Sequence, residues 1–114
     1  MAKIVHIDLP AEDLERAMKF YSELFNWKFT GLPGGMDYYF IDFDDEEGSL
    51  RGGMGKRGEV GQGMTNYIGV SNIDDSIKDV EKAGGKVIVP KQTVPGRGHM
   101  AVCLDTEGNR FGIW

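Results

Sequence analysis

The fold is decided first by residues 3–26, KIVHIDLPAEDLERAMKFYSELFN. Residues 3–9 alternate between two faces, which is typical of a β-strand that buries one side. The apolar face carries Val5, Ile7 and Leu9, and the other face carries Ile4, His6 and Asp8. A single apolar stripe at helical spacing follows, and it predicts a helix that Asp13 caps and that ends near Asn26. The stripe comprises Leu14, Ala17, Met18, Tyr21, Leu24 and Phe25.

Three short strands are predicted after this helix. They are WKFTGL at 27–32, YYFIDF at 38–43 and SLRGGM at 49–54. The segments between them, LPGGMD and DDEEG, have the composition of turns, in which glycine supplies positive φ. The first half of the chain is therefore predicted to be a βαβββ unit.

The second half repeats this order after a polar, glycine-rich linker, GKRGEVGQG at 55–63. TNYIGV is followed by a helix that Asn72 caps and that ends at Gly84–Gly85, and then by KVIVPK, HMAVCL and RFGIW. The helices align at an offset of 59 residues. The terminal hairpins align at an offset of 60, which matches Gly52 with Gly112. We therefore expect a duplicated unit.

The predicted fold class is α+β, with two βαβββ units forming a curved mixed sheet around a concave cleft. Residues 1–114 are expected to form one domain, since a chain of this length closes a single core. The first unit spans about 1–54, the linker 55–63 and the second unit about 64–114.

Composition narrows the classes of partner. There are 13 Lys and Arg against 18 Asp and Glu, which gives a formal charge of −5 and disfavours nucleic acids and anionic membranes. The single Cys103 cannot form an intramolecular disulfide, and residues 1–16 lack the pattern of a signal peptide. No apolar run is long enough to span a membrane. We therefore expect a cytoplasmic protein that binds neither nucleic acid nor membrane.

The cleft is expected to be lined by the strand faces opposite the helices, because the more apolar face of each strand packs under its helix. Strand parity places in it His6, Asp8, Tyr39, Ile41, Gly52, Met54, Thr65, Tyr67, His99, Cys103, Gly112 and Trp114. The residues predicted to bind a ligand are His6, Asp8, Tyr39, Met54, Thr65, Tyr67, His99 and Trp114. The sequence identifies no catalytic residue. Cys103 is not expected to be a nucleophile, because an apolar strand around a cysteine is typical of a buried, inert thiol.

Three stretches carry a family resemblance: VHIDLPAEDLERAMKFYSELFNWKF at 5–29, GGKVIVPKQTVPGRG at 84–98 and DTEGNRFGIW at 105–114. Together they resemble the vicinal oxygen chelate superfamily, which includes glyoxalase I, bleomycin-resistance proteins and extradiol dioxygenases. Within it the chain is most similar to small glyoxalase-like proteins of unassigned substrate. The resemblance also implies a homodimer, because this family commonly pairs its units across a two-fold axis.

The resemblance implies a metal site whose ligands lie on the first and last strand of each unit. Those positions fall on His6, Gly52, Thr65 and Gly112, of which only His6 is a good ligand. We therefore expect no metal and no other cofactor. A substitute set of His6, Asp8 and His99 remains an alternative.

The sequence is compatible with three functions, and in the third of them the cleft is vestigial. The first is binding of a small molecule without chemistry, as in the bleomycin-resistance use of the fold, and the negative charge favours a cationic ligand. The alternative is a metal-dependent lyase, isomerase or dioxygenase, with His6 or Asp8 as general base. The third is a regulatory or interaction module. Glycine at 52 and 112 favours binding, and the sequence leaves open whether the protein is an enzyme.

Overall fold

The computed structural model describes residues 2–33, 37–43, 50–58 and 63–114. It divides the chain into two compact units. The N-terminal unit comprises His6–Met64, and the C-terminal unit comprises Thr65–Trp114 together with residues 2–5, so the first strand begins in the C-terminal unit and continues into the N-terminal one.

The N-terminal unit has the predicted βαβββ order. Its elements are β1 (Ile4–Ala11), α1 (Leu14–Phe25), β2 (Lys28–Gly31), β3 (Tyr38–Asp42) and β4 (Arg51–Lys56). The strands lie in the order β2-β3-β4-β1. β1 and β4 are parallel, whereas β2/β3 and β3/β4 are antiparallel. β4 extends to Lys56, two residues into the predicted linker, and residues 59–62 of that linker lie outside the described residues.

The C-terminal unit repeats this arrangement. Its elements are β5 (Thr65–Ile68), α2 (Ile73–Lys82), β6 (Lys86–Val94), β7 (Gly98–Leu104) and β8 (Arg110–Ile113). The strands lie in the order β5-β8-β7-β6, with β5 and β8 parallel and the other pairs antiparallel. Among the described residues the fold thus has two helices and eight strands in mixed pairing, which confirms the α+β class and the duplicated unit. The shared cleft stays a prediction.

Both helices begin and end where the sequence predicted. Asp13 accepts a hydrogen bond from the Arg16 backbone N–H at 3.0 Å, and Asn72 accepts one from Asp75 at 3.0 Å. Asn26 ends α1 in the left-handed conformation at φ 60°, and Gly84 follows α2 at φ 99°. Within the described ranges, neither helix has the length and apolar character needed to cross a bilayer.

The Asp-x-x-Gly-Asn turn before β8 is organised by one carboxylate. Asp105 Oδ1 accepts the backbone N–H groups of Glu107 and Asn109, each at 2.8 Å. Oδ2 accepts the side-chain amide of Asn109 at 3.1 Å. The hydrogen bonds from Asn109 hold the pKa of the Asp105 carboxyl below its ordinary value. The turn therefore fixes where β8 begins.

The core of the N-terminal unit lies under α1, where Ala11, Ile41 and Met54 are buried. Leu14, Ala17, Met18 and Tyr21 of the predicted stripe pack against them. The prediction was wrong for Leu24 and Phe25, which are each 57% exposed. These two residues belong to the last turn of α1 and are absent from the set of residues that packs against the core.

The core of the C-terminal unit lies under α2 and contains Ile73, Ala101, Cys103 and Ile113. Ile77 and Val80 of α2 pack against it. On the opposite face of β8, Gly112 lies directly beneath the Tyr67 ring, and a Cβ added to Gly112 would come within 2.1 Å of Tyr67 Cδ1. Glycine is required here because the Tyr67 ring lies so close to the backbone, and not because the backbone conformation excludes other residues.

We expect Gly112→Ala to reduce the free energy of unfolding by about 1–3 kcal/mol, because the buried Tyr67 ring has to move. Gly63→Ala is the matched control, since a Cβ there meets nothing within 4 Å. That control should be neutral or stabilising by up to about 1 kcal/mol through the unfolded state. Urea titration of both variants checks the comparison, and equal stabilities would contradict it.

Candidate functional site

The helix-free face of the N-terminal unit carries polar side chains from two strands. On β1, Leu9 and Ala11 pack under α1, so alternation places His6 and Asp8 on the opposite face. On β3, Ile41 and Phe43 pack under α1, so Tyr38 and Phe40 lie opposite. Four of the side chains on this face, His6, Asp8, Tyr38 and Phe40, are called the polar face below.

The sequence prediction of face was wrong for β3 and β4. Ile41 and Met54 are buried in the core under α1. Register with these strands places Tyr39 opposite Met54 and Gly52 opposite Ile41, on the same covered side. The apolar contrast that should set parity is weak here, because β4 reads RGGMGK and half of its residues have no side chain. An error of one residue in the assumed alternation then assigns the side chains of the strand to the wrong faces.

His6, Asp8 and Tyr38 form a closed hydrogen-bonded set, called the His-Asp-Tyr cluster below. His6 Nε2 lies 2.8 Å from Asp8 Oδ1 and 2.8 Å from the Tyr38 hydroxyl. The Tyr38 hydroxyl donates to Asp8 Oδ1 at 2.5 Å. His6 is buried, and its ring is held by these hydrogen bonds. Binding of a ligand by His6 and Asp8 stays a prediction.

Gly53 makes room for this cluster. It is the register partner of Asp8 on β4, and a Cβ added to Gly53 would come within 1.7 Å of the Tyr38 hydroxyl. Gly112 has the same relation to Tyr67 in the C-terminal unit. Gly53 and Gly112 are 59 residues apart, as are Asp8 and Tyr67. The offset of 60 that matched Gly52 with Gly112 was therefore wrong for the last strands.

The helix-free face of the C-terminal unit is more apolar. Tyr67 is 6% exposed and meets Trp114 edge-on, with ring centroids 6.4 Å apart. The backbone of Trp114 makes two hydrogen bonds. Its N–H donates to the Ile68 carbonyl at 3.0 Å, and its carbonyl accepts from the Val70 N–H at 2.9 Å. Thr65 is buried, and its hydroxyl accepts from Arg110 Nε at 3.0 Å. Three predicted ligand-binding residues, Thr65, Tyr67 and Trp114, thus share one face.

The predicted placement of Cys103 in the cleft was wrong, because Cys103 is buried under α2. Burial raises the pKa of its thiol, and Glu81 adds to the effect, which disfavours the thiolate form. Alternation along β7 places His99 on the same side as Cys103, away from Tyr67 and Trp114. His99 is exposed and hydrogen bonds through Nδ1 to Thr93 at 3.1 Å.

The side chains on the helix-free faces do not suit a divalent metal. On β4 the residues that share the face of His6 are Arg51, Gly53 and Gly55, and Arg51 is the register partner of His6. On β8 the corresponding residues are Arg110 and Gly112. A guanidinium and a glycine provide no side-chain ligand for a metal. Throughout the described part of the chain, no three His, Cys, Asp or Glu side chains converge on one point, so the substitute set with His99 is not assembled.

Sequence reasoning missed Tyr38, which joins the cluster from a different strand. The available signal was the pair His6 and Asp8 on a largely buried strand. Buried polar side chains require hydrogen-bond partners, and β3, which lies beyond β4 from β1, offered Tyr38 or Tyr39. The strand parity needed to choose between these tyrosines was the part that failed.

Solved structures share this fold. The methylmalonyl-CoA epimerase of Mycobacterium tuberculosis superposes with a TM-score of 0.73 at 10% identity, covering 96% of this chain and 85% of the epimerase. A hypothetical protein of Bacillus halodurans superposes with a TM-score of 0.72 at 19% identity, covering 98% of this chain and 92% of that protein. At these identities the similarity concerns the fold alone.

Two relatives are similar in sequence. A glyoxylase-like domain-containing protein of Didymella fabae is 34% identical over 122 residues, which cover 97% of this chain and 91% of the relative. The anthracycline biosynthesis protein DauV of a Streptomyces species is 31% identical over 125 residues, which cover 94% of this chain. The chain covers 44% of DauV, and it likewise spans about half the length of most of the curated relatives it matches.

The family comparison covers nearly the whole chain. Residues 3–113 match the model of the Glyoxalase/Bleomycin resistance protein/Dioxygenase superfamily. The duplicated βαβββ order and the turn at Asp105 are the structural counterparts of that match. The chain belongs to the Glyoxalase/Bleomycin resistance protein/Dioxygenase superfamily.

Proposed function

We propose that this chain binds a small organic molecule on a helix-free face of its sheet and does so without a divalent metal. The observation that carries the proposal is the set of side chains on the last strands. Where a metal site would need donors, β4 presents Arg51, Gly53 and Gly55, and β8 presents Arg110 and Gly112.

Two of these glycines do not leave empty space in which a metal ion could be bound. The spaces above Gly53 and Gly112 are filled by the Tyr38 hydroxyl and by the Tyr67 ring. The nitrogen donor His6 is already hydrogen bonded to Asp8 and Tyr38. The family's metal chemistry therefore has no matching donor set in these residues.

A binding role is supported by what the faces offer instead. Ligand sites combine aromatic and apolar walls with a few fixed polar groups. The polar face supplies the Tyr38 and Phe40 rings, 5.4 Å apart, beside the fixed Asp8 carboxylate. The C-terminal unit supplies Trp114 and Tyr67. Metal-dependent lyase, isomerase or dioxygenase activity would need a donor set that the described side chains on these faces do not form.

The proposal predicts that protein purified without chelator and then dialysed against zinc, nickel or manganese retains much less than one equivalent of metal. Elemental analysis of the dialysed protein measures this, and native mass spectrometry of the same sample tests for a copurified small molecule. One equivalent of metal that disappears in His6→Ala would contradict the proposal.

The His-Asp-Tyr cluster is expected to be a rigid feature of the binding face. Tyr38→Phe removes the hydroxyl that donates to Asp8 and should reduce the free energy of unfolding by about 1–3 kcal/mol. Tyr39→Phe, on the adjacent position of the same strand, should change it by less than about 0.5 kcal/mol. Denaturant titration compares the two variants, and equal effects would show that the cluster does not order this face.

The proposal includes a homodimer. Among the described strands, β2 and β6 lie at the two ends of the strand order, so each has an outer edge that a partner can cover. Multi-angle light scattering at micromolar concentration should give twice the mass of one chain. A single species with the mass of one chain would contradict the dimer.

A further inference from the structure

The Asp8 carboxylate is fixed through one oxygen and available through the other. Oδ1 accepts the Tyr38 hydroxyl and lies 2.8 Å from His6 Nε2. Across the described residues, Oδ2 makes no hydrogen bond or ion pair, and the Asp8 side chain is 28% exposed. Two neighbours thus orient the carboxylate without consuming its acceptor capacity, which is the usual arrangement of a pre-organised polar contact.

Aromatic rings border this carboxylate. Tyr38 and Phe40 share its face and meet edge-on, at 5.4 Å between centroids and 81° between planes. The neighbouring position on β4 is Gly53, which adds no side chain that would cover Asp8. A carboxylate beside aromatic rings favours a cation, because the ring faces and the carboxylate both attract positive charge.

The cations of the protein itself leave this carboxylate available. Arg51 is the charged residue nearest in register on this face, but it is the partner of His6 rather than of Asp8. Among the described residues Arg51 makes no ion pair with Asp8. The formal charge of −5 further lowers the cost of bringing a cation to the molecule.

Building on the proposed function, we infer that the polar face recognises a protonated amine or amidinium carried by an aromatic ligand. The cationic group donates to Asp8 Oδ2, and the aromatic body of the ligand lies against the Tyr38 and Phe40 rings. The His-Asp-Tyr cluster thereby acts as a specificity determinant for positive charge.

The test uses two probes of the same shape, 1-naphthylmethylammonium and the neutral 1-naphthalenemethanol, titrated into ¹⁵N-labelled protein at neutral pH. Amide shifts of β1 and β3 locate the binding and give both dissociation constants. The wild type should prefer the ammonium by about tenfold or more, in line with a hydrogen bond to a charged group. Asp8→Asn should abolish this preference while retaining affinity for the alcohol.

Asp79→Asn is the matched control, because it removes the same charge from an exposed position on α2. It should retain the preference for the ammonium, and an equal loss in both variants would overturn the inference by assigning the effect to overall charge. If Asp8→Asn does not fold, Phe40→Leu replaces it. That variant should lower the affinity for the ammonium more than the affinity for the alcohol, and an equal decrease for both probes would overturn the inference.

The outcomes separate this inference from the proposed function. Equal binding of both probes to the wild type would overturn the recognition of charge and leave binding of an aromatic molecule supported. If neither probe shifts a resonance of β1 or β3 at millimolar concentration, the proposed function fails as well.

Discussion

A glycine beneath a tyrosine is the constraint on which the helix-free face of each unit depends. Gly53 lies under the Tyr38 hydroxyl and Gly112 under the Tyr67 ring, at distances that leave no room for a Cβ. In the N-terminal unit this space lets Tyr38 reach Asp8 and His6. In the C-terminal unit the equivalent space is filled by an aromatic ring, and that face is apolar.

The same constraint explains why family membership alone does not determine the chemistry of this chain. A metal site at these positions needs donor side chains on the last strands, where this chain has glycines under tyrosines and arginines beside them. The duplicated units have also diverged. Asp8 and Tyr67 occupy equivalent positions, so one unit presents a fixed carboxylate and the other a buried ring. The two faces therefore differ in chemical character, one carrying a hydrogen-bonded carboxylate and the other a buried aromatic ring.

Much of the fold could be predicted from the sequence, because its signals are local. Caps such as Asp13 and Asn72 satisfy backbone groups within one helical turn, and the Asp105 turn satisfies its own N–H groups. Less of the candidate site could be predicted. Which tyrosine of the pair 38 and 39 reaches Asp8 depends on the register of β3 and β4, and glycines remove the apolar contrast that would indicate it.

Recovery of a metal site from this chain would require more than one substitution. A carboxylate at position 53 would bring its Cβ into the Tyr38 hydroxyl, and removal of that hydroxyl would leave Asp8 and His6 with one partner fewer. A carboxylate at position 110 would remove the guanidinium that donates to the buried Thr65 hydroxyl. Each new donor therefore costs an existing hydrogen bond, and an unsatisfied buried polar group destabilises the fold by about 1–3 kcal/mol. Because these costs fall on both units, the helix-free faces are stabilised as hydrogen-bonded and aromatic surfaces rather than as metal sites.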